Sequence, residues 1–415
     1  MTGTPHDAAP AVAFDDPRRV GSEHARHWDL DPAWVFLNHG SFGACPRVVL
    51  EEQQRWRARF EAQPVRFVVR ELEAALDAAR ERLGRFVGAD TDDLVFVPNA
   101  TTGVNWVLRG LELAPGDEIV LTNHEYNATA NAVRFVAERS GAVVREVEVP
   151  FPIAGADDLV ERVLAAFGPR TRLFVTDHVT SMTGLVLPVE RLVREARERG
   201  VETLVDGAHA PGMLALELEA LGAAWYTGNC HKWLCTPKGS AFLFVRRDLQ
   251  DATPPLVTSH GRNAQRDDRS RFRLEADWTG TCDPSPWLCI PSAIEFLAAL
   301  EPGGIDGLRR RNRALVLEAR DLLAAALGVA PPAPDAMLGS LASLTLPDRS
   351  AAEGEASELW LDPLYERVTA QRIEAVVGPW PAPPRRLLRV SAQAYNAPGQ
   401  YGVLAETLGA ALARR

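Results

Sequence analysis

Cysteine is scarce in this chain: Cys45, Cys230, Cys235, Cys282 and Cys289 are the only five among 415 residues. An odd, sparse set in a long sequence does not read as a disulfide framework. The spacings between Cys230 and Cys235 and between Cys282 and Cys289 lack the tight pairing of a zinc site. No histidine pair completes one, so no metal is expected. A basic excess is also missing. Lys plus Arg number 45 against 55 Asp plus Glu, giving a net charge of −10 and an isoelectric point near 5.5. That balance argues against a nucleic-acid partner or an anionic membrane surface, while leaving room for a local basic pocket. No apolar run approaches the length needed to cross a bilayer. Residues 1–28 are polar and acidic, without the apolar centre of a secretory signal, so a soluble, cytoplasmic protein is expected.

What is present is an ordinary globular composition, 46% apolar and 24% charged. At this length one hydrophobic core usually gives way to two. Short β-rich runs at 94–97, 118–122, 143–149, 173–176, 203–205, 224–227 and 241–245 are separated in several places by segments with helical spacing, such as 128–139, 157–167 and 189–199. Strands alternating with helices predict an α/β domain with a seven-stranded, mostly parallel sheet covered on both faces. An amphipathic helical stretch at 47–86, interrupted near Pro64, precedes it. Helices at 286–300 and 306–327 and strands at 341–346 and 386–390 follow. The expected organisation is an N-terminal arm over 1–45, a large α/β domain over 46–285 and a smaller C-terminal α+β domain over 286–415.

In open α/β sheets ligands gather beyond the carboxyl ends of the strands. After 94–97 comes Asn99-Ala100-Thr101-Thr102-Gly103 at a helix start, where free N–H groups and the helix dipole suit an anion such as phosphate; Thr101 read alone is equally an N-cap. After 118–122, His124 and Tyr126 bring an imidazole and a phenol to the same edge, either for packing or for chemistry. After 203–205, Asp206 is a helix cap or a carboxylate presented to a heterocyclic nitrogen. After 224–227, Lys232 lies between His231 and Trp233. A lysine desolvated in such a place has a lowered pKa and attacks carbonyls. A phosphate cradle, an aromatic group, an acid and a lysine, in that order at successive strand ends, meet the needs of pyridoxal phosphate.

These motifs resemble the class V aminotransferase superfamily, of fold type I among pyridoxal-phosphate enzymes. The residues concerned are Asn99–Gly103, Asn123 to Tyr126, Asp206 to His209, Gly228 to Trp233, and Arg389-Val390-Ser391 with Asn396. Within the superfamily, Leu37-Asn38-His39-Gly40-Ser41-Phe42-Gly43 is similar to the isopenicillin N epimerase-like branch. The resemblance implies that Lys232 holds the cofactor as a Schiff base and moves the Cα proton. It implies that Asp206 pairs with the ring nitrogen, that His209 lies near the phenolic oxygen, and that His124 stacks on the ring with Tyr126 on the substrate side. Thr101, Thr102, Asn229 and His231 would hold the phosphate. Thr281 would reach the site of a neighbouring subunit, implying a homodimer. Asn38 and Arg389 would receive the substrate, Arg389 by its carboxylate, for which the planar guanidinium is well shaped.

Related cysteine desulfurases carry a nucleophilic cysteine in the C-terminal half. This chain has none after Cys289, which disfavours sulfur transfer through a persulfide. The leading expectation is a carbon–sulfur β-lyase acting on a cysteine S-conjugate, because elimination needs a single base. An epimerase of an isopenicillin N-like side chain is the alternative, with Tyr126 or His39 as the second acid. A decarboxylating deaminase of a cysteine S-conjugate and a non-catalytic scaffold of the same fold are further alternatives. The Arg-rich segments 55–70 and 260–273 would be solvated faces or a wall that recognises an anion.

Overall fold

The computed structural model describes residues 12–350, 353 and 362–413. Its twelve strands are β1 (Val35–Phe36), β2 (Leu94–Val97), β3 (Glu118–Thr122), β4 (Val143–Val147), β5 (Thr171–Asp177), β6 (Glu202–Asp206), β7 (Trp225–Asn229), β8 (Ala241–Val245), β9 (Leu341–Leu346), β10 (Ile373–Glu374), β11 (Val376–Pro379) and β12 (Arg386–Ser391). Seven of them form one sheet in the order β2-β8-β7-β6-β5-β3-β4. All its pairings are parallel except those of β8, which runs antiparallel to both neighbours. Two reversals restore the direction of β2, so the carboxyl ends of β2, β3, β5, β6 and β7 share one edge.

Side chains alternate across this sheet. Phe174, Val205 and Val120 enter one core, whereas Leu173, Val175, Leu204, Ile119 and Leu121 enter the other. That double burial explains the continuous apolar runs and requires helices on both faces. The helix Ala100–Gly110 packs closely enough against β7 that a methyl at Gly103 would run into the Thr227 side chain. Gly103→Ala is expected to lower stability by about 1–3 kcal/mol through overpacking, read from the shift in denaturant midpoint at unchanged m-value.

The N-terminal segment pairs with the C-terminal region. The two-residue β1 pairs in parallel with β10, and Ser391 N–H donates to the Leu37 carbonyl. Strands β11, β12 and β9 form a second, antiparallel sheet. The expected 47–86 helix is broken as Pro64 suggested, into Arg47–Ala62, Pro64–Arg66, a π-helical turn Phe67–Glu71 and Leu72–Val87. Among the described residues no helix is long and apolar enough to cross a membrane. All five cysteines are free thiols, four buried and Cys282 exposed.

Candidate active site

Lys232 follows β7 in a tight segment under the N-terminal loop. Gly43, at φ 71°, passes so close that a side chain there would meet the His231 carbonyl and the Lys232 Cα. The Lys232 side chain is half-buried, and its Nζ lies 3.0 Å from His209 Nε2. Burial, reinforced by the Arg389 cation, holds the amine down at about 8, although Asp206 and Asp177 pull the other way.

Asp206 ends β6. Its Oδ2 accepts from Thr129 Oγ1 at 2.8 Å and its Oδ1 from the Ala208 N–H at 3.0 Å. Burial raises its pKa against the opposing pull of its hydrogen bonds and of Lys232. Asp177 ends β5 in register with Asp206, beside the buried Glu125. Desolvation raises both of these acids, the Asp206 charge adds to the rise at each, and Glu125 adds further at Asp177, so the pair retains a proton. These two were not anticipated. The sequence signal was available in the Thr176-Asp177-His178 run, which continues the strand one residue beyond its expected end.

The next strand ends supply an anion cradle. Asn99 caps the helix Ala100–Gly110, accepting from both the N–H and the hydroxyl of Thr102. Asn229 Oδ1 accepts from the Ala100 N–H at 2.8 Å. Thr101 is exposed in this first turn, and among the described residues its N–H has no partner. His231 donates from Nδ1 to the Ser240 carbonyl at 2.9 Å, which leaves Nε2 as the open position. Burial holds this imidazole down at about 4.

Arg389 comes from β12, in the other sheet. It is buried, and its guanidinium donates only to neutral groups: the Ser181 carbonyl at 2.6 Å, Asn38 Oδ1 at 3.1 Å and Ser41 Oγ at 2.9 Å. Burial lowers its pKa to about 10. Tyr126 lies near Arg389 and is 46% exposed, at the open side of the site.

One sequence expectation is corrected. His39 is fully buried, with Nδ1 at 2.8 Å from the Tyr395 hydroxyl and Nε2 at 2.9 Å from the Lys232 carbonyl oxygen. Burial drives it down to about 3. It props the lysine's backbone and has no free nitrogen with which to act as a second acid. His124 binds Thr183 Oγ1 through Nδ1 and the Val149 carbonyl through Nε2, and its ring packs 4.7 Å from Trp380 and 6.3 Å from Phe151. Its two hydrogen bonds lie in the ring plane and tie the turn after β3 to two neighbouring loops. Thr281 is exposed on the 277–284 loop, where it lines a surface hollow with Phe60, Trp278 and Trp287. The Arg-rich segments are largely absorbed in ion pairs, such as Arg59 and Arg66 with Glu71, Arg269 with Asp77 and Arg273 with Asp277.

A half-buried amine, a buried carboxylate, a helix start with a free N–H and a buried guanidinium without a carboxylate therefore meet at one edge. The family model for class-V aminotransferases matches residues 35–352. The chain belongs to the class-V aminotransferase family. This class-V enzyme is 40% identical over 395 residues to the isopenicillin N epimerase of Amycolatopsis lactamdurans, covering 91% of the chain and 95% of that relative. It is 31% identical over 347 residues to an L-cysteine desulfhydrase of Arabidopsis thaliana, covering 80% and 74%. Among solved structures it shares its fold with the cystine C-S lyase C-DES, at a TM-score of 0.76 and 22% identity, covering 91% of this chain and 97% of that one.

It is a pyridoxal-phosphate-dependent enzyme, and the donor set fits that cofactor. The buried Asp206 carboxylate suits a protonated ring nitrogen, and the Thr101 N–H, unpartnered among the described residues, suits a phosphate oxygen. Lys232 is the amine at this edge, and partial burial beside Arg389 lowers its pKa.

Proposed function

We propose that this class-V enzyme is a carbon–sulfur β-lyase that takes a cysteine S-conjugate. The supporting observation is the single base. Lys232 is half-buried with a depressed pKa, while His39, one of the two candidates for a second acid, has both nitrogens committed. In this reading Asp206 faces the ring nitrogen and His209 the phenolic oxygen. Thr101, Asn229 and His231 hold the phosphate, with Thr102 bracing the helix start through its bond to Asn99. Arg389, steadied by Asn38 and Ser41, receives the substrate carboxylate. Bound pyridoxal phosphate supplies an aldehyde for the substrate amine and a ring that draws electrons away from Cα. Lys232 then takes the Cα proton. The Cβ–S bond breaks with its electrons leaving on sulfur, and hydrolysis yields thiol, pyruvate and ammonia. Thr281 lies on an exposed loop, suited to reach the site of a second copy in a homodimer.

A second reading, epimerisation, draws on Tyr126 at the open side of the site and on the identity with the Amycolatopsis epimerase. Incubation of the holoenzyme with S-alkyl and S-aryl cysteines in deuterated water separates the two. Stoichiometric thiol and pyruvate are expected. Inversion or α-deuterium incorporation without either product would leave epimerisation in its place.

A further inference from the structure

The Trp233 indole N–H donates to His209 Nδ1 at 3.3 Å, and His209 Nε2 lies 3.0 Å from Lys232 Nζ. Both rings are buried. An indole nitrogen only donates, so Nδ1 must be the acceptor and carry no proton. A buried imidazole without a carboxylate partner is neutral, and its one proton then sits on Nε2. That proton points at Lys232 Nζ, which can accept it only through the lone pair of a free amine. From this geometry we infer that Trp233 is a positioning residue that fixes the tautomer of His209, so that the imidazole holds Lys232 as a free amine ready to capture the cofactor aldehyde.

The opposite tautomer would set two N–H groups against each other at Nδ1 and leave a lone pair at Nε2, which would welcome an ammonium. The choice of tautomer therefore changes which charge state of Lys232 its neighbour supports. The other groups facing this pair are Arg389 and His39 on the His209 side, and Arg389, Asp206 and Asp177 around Lys232. Arg389 disfavours the ammonium and the two acids favour it. His209 adds to the weight of Arg389 only in the tautomer that Trp233 selects. Among the described residues no hydrogen-bond donor other than Trp233 reaches His209 Nδ1, so the selection depends on this one contact. The inference rests on Lys232 being the cofactor lysine.

The test uses the full chain freed of cofactor. Nitrogen-15 NMR of labelled histidine reads the His209 tautomer, and the visible band formed on adding pyridoxal phosphate reads the capture rate against pH. Wild type should show His209 protonated at Nε2 and a capture midpoint at or below about 8. Replacing Trp233 with 3-benzothienylalanine, which keeps the shape and removes the N–H, should shift the proton towards Nδ1. It should raise the midpoint by about one unit and slow capture at pH 7 by about tenfold. Trp233→Phe should move both readouts in the same direction. An unchanged tautomer and midpoint in the benzothienyl variant would overturn the inference. So would wild-type His209 protonated at Nδ1, a result that needs no variant to fold. Lys232→Ala is the separate control: if it still captures the cofactor covalently, the site reading itself fails.

Discussion

Lys232→Ala is expected to yield a folded protein with no visible absorption from lysine-bound cofactor and with turnover lowered by about 10³-fold or more. Proton transfer by a positioned side chain contributes roughly 10²–10⁴. Here the same side chain also anchors the cofactor, so both functions are lost together. The fold should tolerate the change, because the half-buried amine contributes a single hydrogen bond, to His209, and carries a desolvation cost when charged. The measurements are the absorption spectrum after dialysis against pyridoxal phosphate, followed by single-turnover thiol release. A variant that keeps the visible band would place the Schiff base on another lysine. A variant that loses the band but recovers rate with added primary amine would confirm Lys232 as the base.

The free-amine requirement also gives this site a pH dependence with a definite sign. Lys232 is depressed from 10.5 to about 8, first by burial and then by Arg389. The unfolded chain therefore binds more protons at this position between those two values. Stability from this group rises with pH across that window, and the pH 8 to 10.5 difference disappears in Lys232→Ala. Denaturant unfolding at both ends of the window, compared between the two proteins, measures it.

Much of this site was legible in the sequence because its central residues combine chemical type with a strand-end position. Lys232, Asp206 and the Asn99–Gly103 turn each follow an apolar run whose period places their backbone at the sheet edge, and β12 places Arg389 in the same way. The histidines were not legible. The role of a histidine depends on what its two nitrogens meet, and His39 meets Tyr395, 356 positions away, and the backbone of Lys232. His124 likewise depends on Thr183 and the Val149 carbonyl, which only the folded loops bring together. The pairing of β1 with β10 was hidden for a similar reason: a two-residue strand has no period to detect. Asp177 sits one residue past the apolar run that marks β5, so only the strand's true end reveals it, and Glu125 shows itself only where the ends of β3, β5 and β6 pack together.

Arg389→Met should separate carboxylate recognition from cofactor chemistry. The guanidinium is buried against three neutral acceptors and lacks any carboxylate among the described residues, so the substrate carboxylate is the counter-charge that completes it. Truncating one partner of a buried, hydrogen-bonded charge pair costs roughly 2–5 kcal/mol. At about 1.4 kcal/mol per decade, kcat/KM for an α-amino acid should fall between about 30-fold and a few thousand-fold. Binding of a simple alkylamine, which has no carboxylate, should hardly change. The same substitution removes the cation that helps depress Lys232, so the pH midpoint for cofactor capture should move above about 8. Arg389→Lys keeps that charge and loses the planar fork. It should leave the midpoint in place while still weakening amino-acid binding, which separates the geometric part of the effect from the electrostatic part. Equal losses for amino acid and amine in Arg389→Met would mean that the substrate carboxylate is bound elsewhere, and that Arg389 acts on Lys232 alone.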